Sequence, residues 1–264
     1  GYYRYYGHTD IVTIQDHKMV GTGSHINHAK NGWYGRSYYK NGIKVRNEFV
    51  TDPKDRGVYY LDSDGNYIES TWLGKSYFKP GGRLAQEEWI YDKNSGAWYY
   101  LTFQAQYVKN GWVGNYYLKS DGKMAQSEWI YDKYYKSYYY LTSNGSYARN
   151  AWIGNYYLKS DGKMAQSEWI YDKYYKSYYY LTSNGSYARN TWVGNYYLKS
   201  DGKMAKSEWI YDRNYGAYYY LTGEGSYARN TWVGDYYLKA NGKMAVNERT
   251  PDGYRVDGSG KWIR

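Results

Sequence analysis

A nearly unchanged internal repeat dominates this chain. Residues 152–190 copy residues 112–150 with one substitution, so the segment recurs after 40 residues. A third, slightly altered copy begins at Trp192, and a partial fourth begins at Trp232. A repeat of this period predicts an array of stacked units, because one such unit is too short to bury a core alone.

Each copy divides into two similar halves of different length. The short half has 17 residues and starts at Trp112, and the long half has 23 residues and starts at Trp129. Both halves contain Trp, then Tyr-Tyr-Leu, then a turn with Gly, so the chain alternates two versions of one unit. The half-units start at Trp33, Phe49, Trp72, Trp89, Trp112, Trp129, Trp152, Trp169, Trp192, Trp209 and Trp232.

Each half-unit predicts a β-hairpin. In the long half, WIYD and YYYLT are runs of aromatic and branched residues on either side of the turn KYYKS. In the short half, Gly114 and Asn115 supply a tight turn, and the SDG and SNG sequences supply glycine for the loop that follows. No stretch shows the periodicity of a helix. We therefore predict an all-β solenoid of stacked β-hairpins that alternate between short and long.

The composition predicts an aromatic core that is spread along the array. Leu, Ile and Val occur only 11 times each in 264 residues, whereas Tyr occurs 44 times and Trp 12 times. Aromatic rings bury large areas and can replace the missing aliphatic side chains. The absence of cysteine excludes disulfides, and no run reaches the ~18 apolar residues of a membrane helix. The net charge of +10 is spread evenly, which suits either a solvated surface or attraction to a polyanion.

The two ends of the chain depart from the repeat. Residues 1–32 predict a divergent N-terminal unit, residues 33–248 the hairpin repeats, and residues 249–264 a terminal hairpin. All four histidines lie in the first segment, where His25 and His28 have no evident third partner, so we predict no metal site. The opening GYYRYY resembles a cut inside a larger protein and not a signal peptide.

The chain has more aromatic residues than a two-stranded hairpin needs for its core. Side chains alternate between the faces of a strand, so Trp129 and Tyr138 can form two walls of a slot, and Tyr157 of the next hairpin can form a third. Three electron-rich ring faces suit a quaternary ammonium ion, which cannot be hydrogen-bonded. The alternative is that these rings form only the core.

The repeats resemble a known family, the choline-binding repeats of pneumococcal surface proteins and their phages. The resemblance rests on Trp followed by Trp or Tyr with Tyr-Tyr-Leu, best matched from Trp89 to Leu101, and on SDGKMA at 120–125, 160–165 and 200–205. It covers residues 33–248 and implies a left-handed superhelix of hairpins that binds choline on cell-wall teichoic and lipoteichoic acids. The alternation of short and long units is most similar to a family member that is an endo-β-N-acetylglucosaminidase.

The resemblance implies four complete choline slots, each with two rings from a long hairpin and one Tyr from the next hairpin. These slots are Trp89/Trp98/Tyr117, Trp129/Tyr138/Tyr157, Trp169/Tyr178/Tyr197 and Trp209/Tyr218/Tyr237, with Met124, Met164, Met204 and Met244 as apolar backing. The short halves depart from the family pattern, because Asn115, Asn155, Asn195 and Asp235 stand at the second aromatic position. We expect slots with only two walls at Trp112, Trp152, Trp192 and Trp232. Val58 should remove a wall from the slot at Phe49.

These features favour a binding module over an enzyme. A glycosidase needs two carboxylates in unlike surroundings, whereas Glu128, Glu168 and Glu208 recur at the same position of every copy. These glutamates lie either near a bound ammonium or in solvated loops. We predict no catalytic residue and no cofactor in this chain, and a hydrolase domain outside it. The expected partners are phosphocholine-bearing teichoic and lipoteichoic acids at the surface of the cell that secretes the protein, with no nucleic acid and no membrane insertion. An α-glucan-binding repeat and a structural spacer are the alternatives.

Overall fold

The computed structural model describes the backbone of residues 8–9, 12–15, 18–22 and 26–27 and the complete residues 29–264. Every helix or strand in these ranges is a β-strand, so the predicted all-β class is confirmed. Within the same ranges no helix is long and apolar enough to cross a membrane. Part of the predicted N-terminal unit, including His17, His25 and His28, lies outside the described residues.

The chain begins with short strands that precede the regular repeats. Four of them are β1 His8–Thr9, β2 Val12–Gln15, β3 Lys18–Thr22 and β4 Ile26–Asn27. Strand β1 pairs with β4 and β2 pairs with β3, both antiparallel. A three-stranded antiparallel sheet follows, formed by β5 Gly32–Tyr34, β6 Ser37–Lys40 and β7 Ile43–Lys44.

The remaining strands form antiparallel two-stranded hairpins that alternate between long and short, as the repeat predicts. In chain order they are β8 Glu48–Thr51 with β9 Val58–Leu61 (long), β10 Thr71–Leu73 with β11 Ser76–Phe78 (short), β12 Glu88–Asp92 with β13 Ala97–Leu101 (long), β14 Gly111–Val113 with β15 Tyr116–Leu118 (short), β16 Glu128–Asp132 with β17 Ser137–Leu141 (long), β18 Ala151–Ile153 with β19 Tyr156–Leu158 (short), β20 Glu168–Asp172 with β21 Ser177–Leu181 (long), β22 Thr191–Val193 with β23 Tyr196–Leu198 (short), β24 Glu208–Asp212 with β25 Ala217–Leu221 (long), β26 Thr231–Val233 with β27 Tyr236–Leu238 (short), and the terminal pair β28 Arg255–Val256 with β29 Trp262–Ile263.

The two hairpin lengths follow from two kinds of turn. In the short hairpin Val113 faces Tyr116, which leaves only Gly114 and Asn115 for the turn. Gly114 has a φ of 58°, the value that a type II′ hairpin turn requires at its first central position. In the long hairpin the turn contains four residues, and the Asp132 carboxylate accepts hydrogen bonds from the backbone amides of Tyr134 and Tyr135 at 2.8 and 3.1 Å. The long hairpin therefore extends two residue pairs beyond the short one.

The core is a row of small clusters and not one large interior. The leucine that ends the second strand of most hairpins, such as Leu141 and Leu158, is completely buried. The chain forms two compact units, Gly1–Gln126 with Ser143–Ser146 and Ser127–Thr142 with Tyr147–Arg264. Each unit contains short and long hairpins built in the same way. The domain boundaries that we predicted from the repeat remain predictions.

Candidate functional site

Two kinds of contact alternate between consecutive hairpins within each unit. We call the contact between a long hairpin and the short hairpin after it an open junction. We call the contact between a short hairpin and the long hairpin after it a closed junction. Each contact places a Trp of the first hairpin against a Tyr of the second, as in the pairs Trp129–Tyr156 and Trp152–Tyr179. The two kinds differ in what covers the Trp.

An open junction holds a slot lined by aromatic rings. In the junction that begins at Trp129, the slot is a cavity of about 390 Å³ lined by Trp129, Tyr138, Tyr156 and Met164. The ring centroids of Trp129 and Tyr156 lie 5.6 Å apart with the ring planes at 75°. The Tyr140 ring, 5.3 Å from Trp129, supports the indole from within its own hairpin. One side of the slot faces solvent, because Tyr138 is 42% exposed.

The extra length of the long hairpin holds the second wall in place. Tyr138 lies directly opposite Tyr131 in the part of the hairpin that the short version lacks, and their ring centroids are 4.8 Å apart. The Tyr138 carbonyl accepts a hydrogen bond of 2.9 Å from the Met164 amide, which ties the loop after the next hairpin to this wall. Met164 is buried and forms the apolar floor of the slot.

Three further open junctions place three aromatic rings and a Met at the same positions. The slot at Trp89 has a volume of about 370 Å³ and the slot at Trp209 about 440 Å³. At the fourth junction, Trp169 lies 5.6 Å from Tyr196, and the Met204 amide donates to the Tyr178 carbonyl at 2.9 Å. The lining sets are Trp89, Trp98, Tyr116 and Met124 in the first of these slots, and Trp209, Tyr218, Tyr236 and Met244 in the second.

The predicted third ring of each slot is wrong by one residue. Tyr157 is only 9% exposed and lies directly opposite Trp152, so both side chains occupy the face that points away from Trp129. Tyr156 occupies the other face and meets Trp129. The predicted residues Tyr117, Tyr157, Tyr197 and Tyr237 are all buried against the Trp of their own short hairpin. The two-residue turn is the signal that could have found the correct ring, because it pairs position 153 with 156 and position 152 with 157.

A closed junction has no slot, because tyrosine rings cover the Trp. The Trp152 ring contacts Tyr157 at 5.0 Å, Tyr179 at 5.0 Å and Tyr187 at 5.9 Å. Its indole N–H donates a hydrogen bond of 2.7 Å to the carboxylate of Asp172, which is 7% exposed. We had expected slots with two walls at Trp112, Trp152, Trp192 and Trp232. At Trp152 and Trp192 the structure shows this packed arrangement instead.

The equivalent positions in the two junctions explain the difference. The Tyr187 amide donates to the Asn155 carbonyl at 3.1 Å, just as the Met164 amide donates to the Tyr138 carbonyl at 2.9 Å. Asn155 is a turn residue and presents no ring where Tyr138 forms a wall. Tyr187 is larger than Met164 and covers the Trp from the floor.

Burial of tyrosine and aspartate side chains shifts their pKa values. Burial raises the pKa of Tyr179 to about 12, and the carboxylates of Asp172 and Asp201 act in the same direction. Tyr139 has a pKa of about 12 for the same reasons. Burial alone would raise the pKa of Asp92, but hydrogen bonds from the Trp72 indole and from nearby backbone amides outweigh it, and the pKa is lowered.

The first long hairpin lacks the slot residues. Phe49 replaces the Trp, and Val58 occupies the position of Tyr138, as we expected. Ser76 also stands where the third ring belongs, because it lies opposite Leu73 as Tyr156 lies opposite Ile153. Only one of the three slot rings is therefore present, and Phe49 is left largely exposed.

Comparison with known proteins agrees with this geometry. The sequence profile of the choline-binding repeat matches residues 106–147, 146–187, 186–227 and 226–262. The chain belongs to the choline-binding repeat family. No curated protein sequence matches the chain.

The solved structures similar to this choline-binding repeat protein include two pneumococcal proteins. The choline-binding domain of CbpL from Streptococcus pneumoniae is 64% identical over 67% of this chain and 96% of its own length, with a TM-score of 0.63. CbpJ from Streptococcus pneumoniae TIGR4 is 26% identical over 88% of this chain and 98% of its own length, with a TM-score of 0.52. Stacked hairpins of the choline-binding repeat fold are therefore the architecture of this chain.

A polar rim, which the sequence analysis missed, borders the slots of these choline-binding repeats. Gln166 and Asn184 line the slot at Trp129, and the Gln166 side-chain amide donates to the Ser183 carbonyl at 3.0 Å. The rim varies, whereas the rings and Met are kept. The positions of Gln166 and Asn184 hold Gln126 and Asn144 in the slot at Trp89, Lys206 and Glu224 at Trp169, and Val246 and Ser259 at Trp209.

The repeated glutamates do not line the slots. Glu168 lies 3.3 Å from the ammonium of Lys159 and accepts a hydrogen bond of 3.1 Å from the backbone N–H of Gln166. Lys199 and Glu208 form the same ion pair at 3.2 Å. These glutamates therefore anchor the return loop of the preceding short hairpin, and a position beside a bound ammonium is not supported.

Proposed function

We propose that this chain is a non-catalytic wall-binding module that recognises choline on teichoic and lipoteichoic acids. The observation that carries the proposal is the open junction, where three rings and a Met surround a slot open to solvent on one side. The proposed choline-binding residues are those of the four open junctions: Trp89, Trp98, Tyr116 and Met124; Trp129, Tyr138, Tyr156 and Met164; Trp169, Tyr178, Tyr196 and Met204; Trp209, Tyr218, Tyr236 and Met244.

The slot chemistry fits a trimethylammonium group. This cation has no N–H to donate, so a site built from hydrogen-bond acceptors offers it little, whereas aromatic faces attract it through their quadrupoles. Each ring contributes about 0.5–2 kcal/mol. After the cost of association, three rings correspond to roughly millimolar binding of free choline. The solvent-facing side leaves room for the chain to which a phosphocholine is attached.

Several weak slots along one chain suit a polymeric ligand. A teichoic acid that carries many phosphocholines can occupy several slots at once, which raises the overall affinity by about 10²–10⁴. The net charge of +10 acts in the same direction, because the polymer also carries phosphates.

We further propose that the chain holds an attached cell-wall hydrolase, secreted and bound non-covalently, at the cell surface. The alternation of short and long repeats resembles the module of LytB, a pneumococcal endo-β-N-acetylglucosaminidase. The carboxylates of this chain recur in phase with the repeat and accept hydrogen bonds from backbone amides of turns and loops, as Asp132 and Glu168 do. The catalytic groups are therefore proposed to lie outside this chain.

A titration of tryptophan fluorescence with choline tests the proposal. We expect a saturable change near the millimolar range and elution of the chain from an immobilised tertiary amine by free choline. A Tyr156→Ser variant should lose part of the change, since this substitution copies Ser76 at the junction without a slot. No response to about 0.1 M choline would contradict the proposal. A response to an α-glucan alone would favour sugar binding, and a response to neither would favour a spacer.

A further inference from the structure

The turns of two long hairpins carry exposed aromatic and basic side chains that the slots do not use. We call residues 133–136 and 173–176, with the sequence Lys-Tyr-Tyr-Lys, the tyrosine tips. Tyr134 and Tyr174 are each 85% exposed, and the ring next to each lies 4.9 Å away at 85°. Rings of this size normally bury most of their surface, so two such rings in solvent are available to a ligand.

The fold does not need these tyrosines. Two of the equivalent turns contain Asn94 and Asn214, and their backbone amides donate to Asp92 and Asp212 at 3.0 and 2.8 Å. The Tyr134 amide makes the same hydrogen bond at 2.8 Å. The turn therefore forms equally well with asparagine, and the ring contributes no contact that closes it.

The lysine that ends each tyrosine tip occupies an unfavourable backbone position. Lys136 and Lys176 have φ values of 52° and 51°, in the left-handed region. Two of the other three long-hairpin turns place glycine there, Gly96 and Gly216, which adopts this conformation without steric cost, and the turn of the first long hairpin has Arg56 with a φ of 59°. A strained residue that the fold could replace with glycine points to a role for its side chain.

The tips are also positively charged. The Lys163 ammonium lies 5.6 Å from the centroid of the Tyr135 ring, and Lys203 has the same position over Tyr175 at 5.5 Å. In the described part of the chain, the ion pairs involve other lysines, such as Lys159, and none involves a lysine of the tips. Each tip contains two lysines and, with Lys163 or Lys203 beside it, has three positive charges around two tyrosine rings.

We propose that the tyrosine tips bind the backbone of a sugar-phosphate polymer. Sugar rings present apolar C–H faces that stack on exposed aromatic rings, and their phosphates attract lysine ammonium groups. A neutral sugar would use only the aromatic rings, and an isolated phosphate would use only the lysines. The proposal deepens the proposed function, on which the identity of the polymer rests, because the slots hold choline and the tips hold the chain that carries it.

The test replaces the tips with residues that this chain itself uses at the same positions. The variant carries Tyr134→Asn, Lys136→Gly, Tyr174→Asn and Lys176→Gly, which copy the turns at Asn94 and Asn214. Its affinity for free choline should equal that of the unchanged chain. Its affinity for purified phosphocholine-bearing teichoic acid should fall by roughly ten-fold, and the salt dependence of that binding should become weaker.

The outcomes separate this proposal from the proposed function. Unchanged affinity for the polymer overturns the role of the tips and leaves the choline slots in place. If the unchanged chain ignores choline yet binds a choline-free sugar-phosphate polymer through the tips, the tip proposal stands without the slots. Equal competition by inorganic polyphosphate, which carries the charge without any sugar, lost in the same variant, overturns the sugar-phosphate assignment.

Discussion

Open and closed junctions use the same Trp and Tyr-Tyr-Leu skeleton, and they differ in only two places. The first is the length of the hairpin that supplies the Trp, because only the long version carries a ring such as Tyr138 beyond the Trp. The second is the residue on the return loop, which is Met164 in the open junction and Tyr187 in the closed one. A longer hairpin with a smaller floor residue leaves a slot, whereas a shorter hairpin with a larger floor residue fills it.

This difference assigns stability and binding to separate parts of the repeat. In the closed junction, Trp152 is packed by three rings and its N–H is satisfied by Asp172. In the open junction, Trp129 keeps one face toward a cavity. A chain with so few aliphatic residues needs the closed junctions for its core. The open junctions can then leave aromatic surface uncovered for a ligand.

The largest expected effect is the loss of a closed-junction Trp. Trp152→Ala should lower the free energy of unfolding by about 3–5 kcal/mol, because it leaves a large cavity and removes the donor to the buried Asp172. The matched change in the open junction is Tyr138→Ala, which should cost less than about 1 kcal/mol because this ring is 42% exposed. Urea unfolding followed by circular dichroism measures both. Equal losses would mean that the two junctions do not divide these roles.

Alkaline pH should weaken the packing of the buried tyrosines. The pKa of Tyr139 and Tyr179 is about 12 in the folded chain, against 10.0 for an ordinary tyrosine. Between these values the unfolded chain releases protons that the folded chain keeps, so stability is complete below pH 10 and falls as the pH rises toward 12. Urea midpoints measured across this range test the expectation.

A double variant, Tyr139→Phe with Tyr179→Phe, is the control for the alkaline experiment. It keeps the rings and removes two of the hydroxyls whose ionisation burial suppresses. Its urea midpoint should fall less steeply with pH than that of the unchanged chain. Parallel pH profiles for the two proteins would show that other groups cause the alkaline loss.

The fold and part of the candidate site follow from the sequence alone. Alternating hairpins were predictable because Gly114-Asn115 and Lys-Tyr-Tyr-Lys are turns of different length between aromatic strands. Residues from the long hairpin, such as Trp129 and Tyr138, were placed at one slot because a single strand pair relates them. Met164 was placed there by the resemblance to the family, and the structure brings it to the same slot.

The part of the site that could not be predicted depends on which face of a short hairpin contacts the preceding hairpin and which contacts the following one. Tyr156 and Tyr157 are adjacent and chemically identical, so only the pairing across the turn distinguishes the ring that enters the slot from the ring that enters the core. The closed junction was missed for a similar reason. Asp172 and Tyr187 are 20 and 35 residues from Trp152 in the sequence, and no local pattern indicates that they cover it.

A pair of adjacent substitutions sharpens the distinction between the two faces. Tyr157→Ser should lower the free energy of unfolding by roughly 3 kcal/mol, because it removes a buried ring from the closed junction. Tyr156→Ser should cost less and should remove one choline site, since it takes the third ring from the slot at Trp129. Calorimetric titration with choline gives the number of sites, and thermal unfolding gives the stability. The reverse pattern would restore the ring that we first predicted.

The smallest expected effect compares slots of the same kind. The slot at Trp89 is the only one of the four open junctions in the described chain with a Trp as its second wall, Trp98, and indole attracts cations more strongly than phenol. Trp98→Tyr should weaken choline binding at this slot by about 2–5-fold, and Tyr138→Trp should strengthen the neighbouring slot by a similar factor.

This comparison needs chains with one active slot, and the chain itself shows how to prepare them. Val58 stands at the second wall of the junction that has no slot. Valine at the second wall of three slots, chosen among positions 98, 138, 178 and 218, therefore leaves one slot to titrate. If the slot with Trp98 then binds choline no better than the slot with Tyr138, the second wall contributes only shape. The affinity of a slot would then depend on the Trp and Tyr that face each other across the junction.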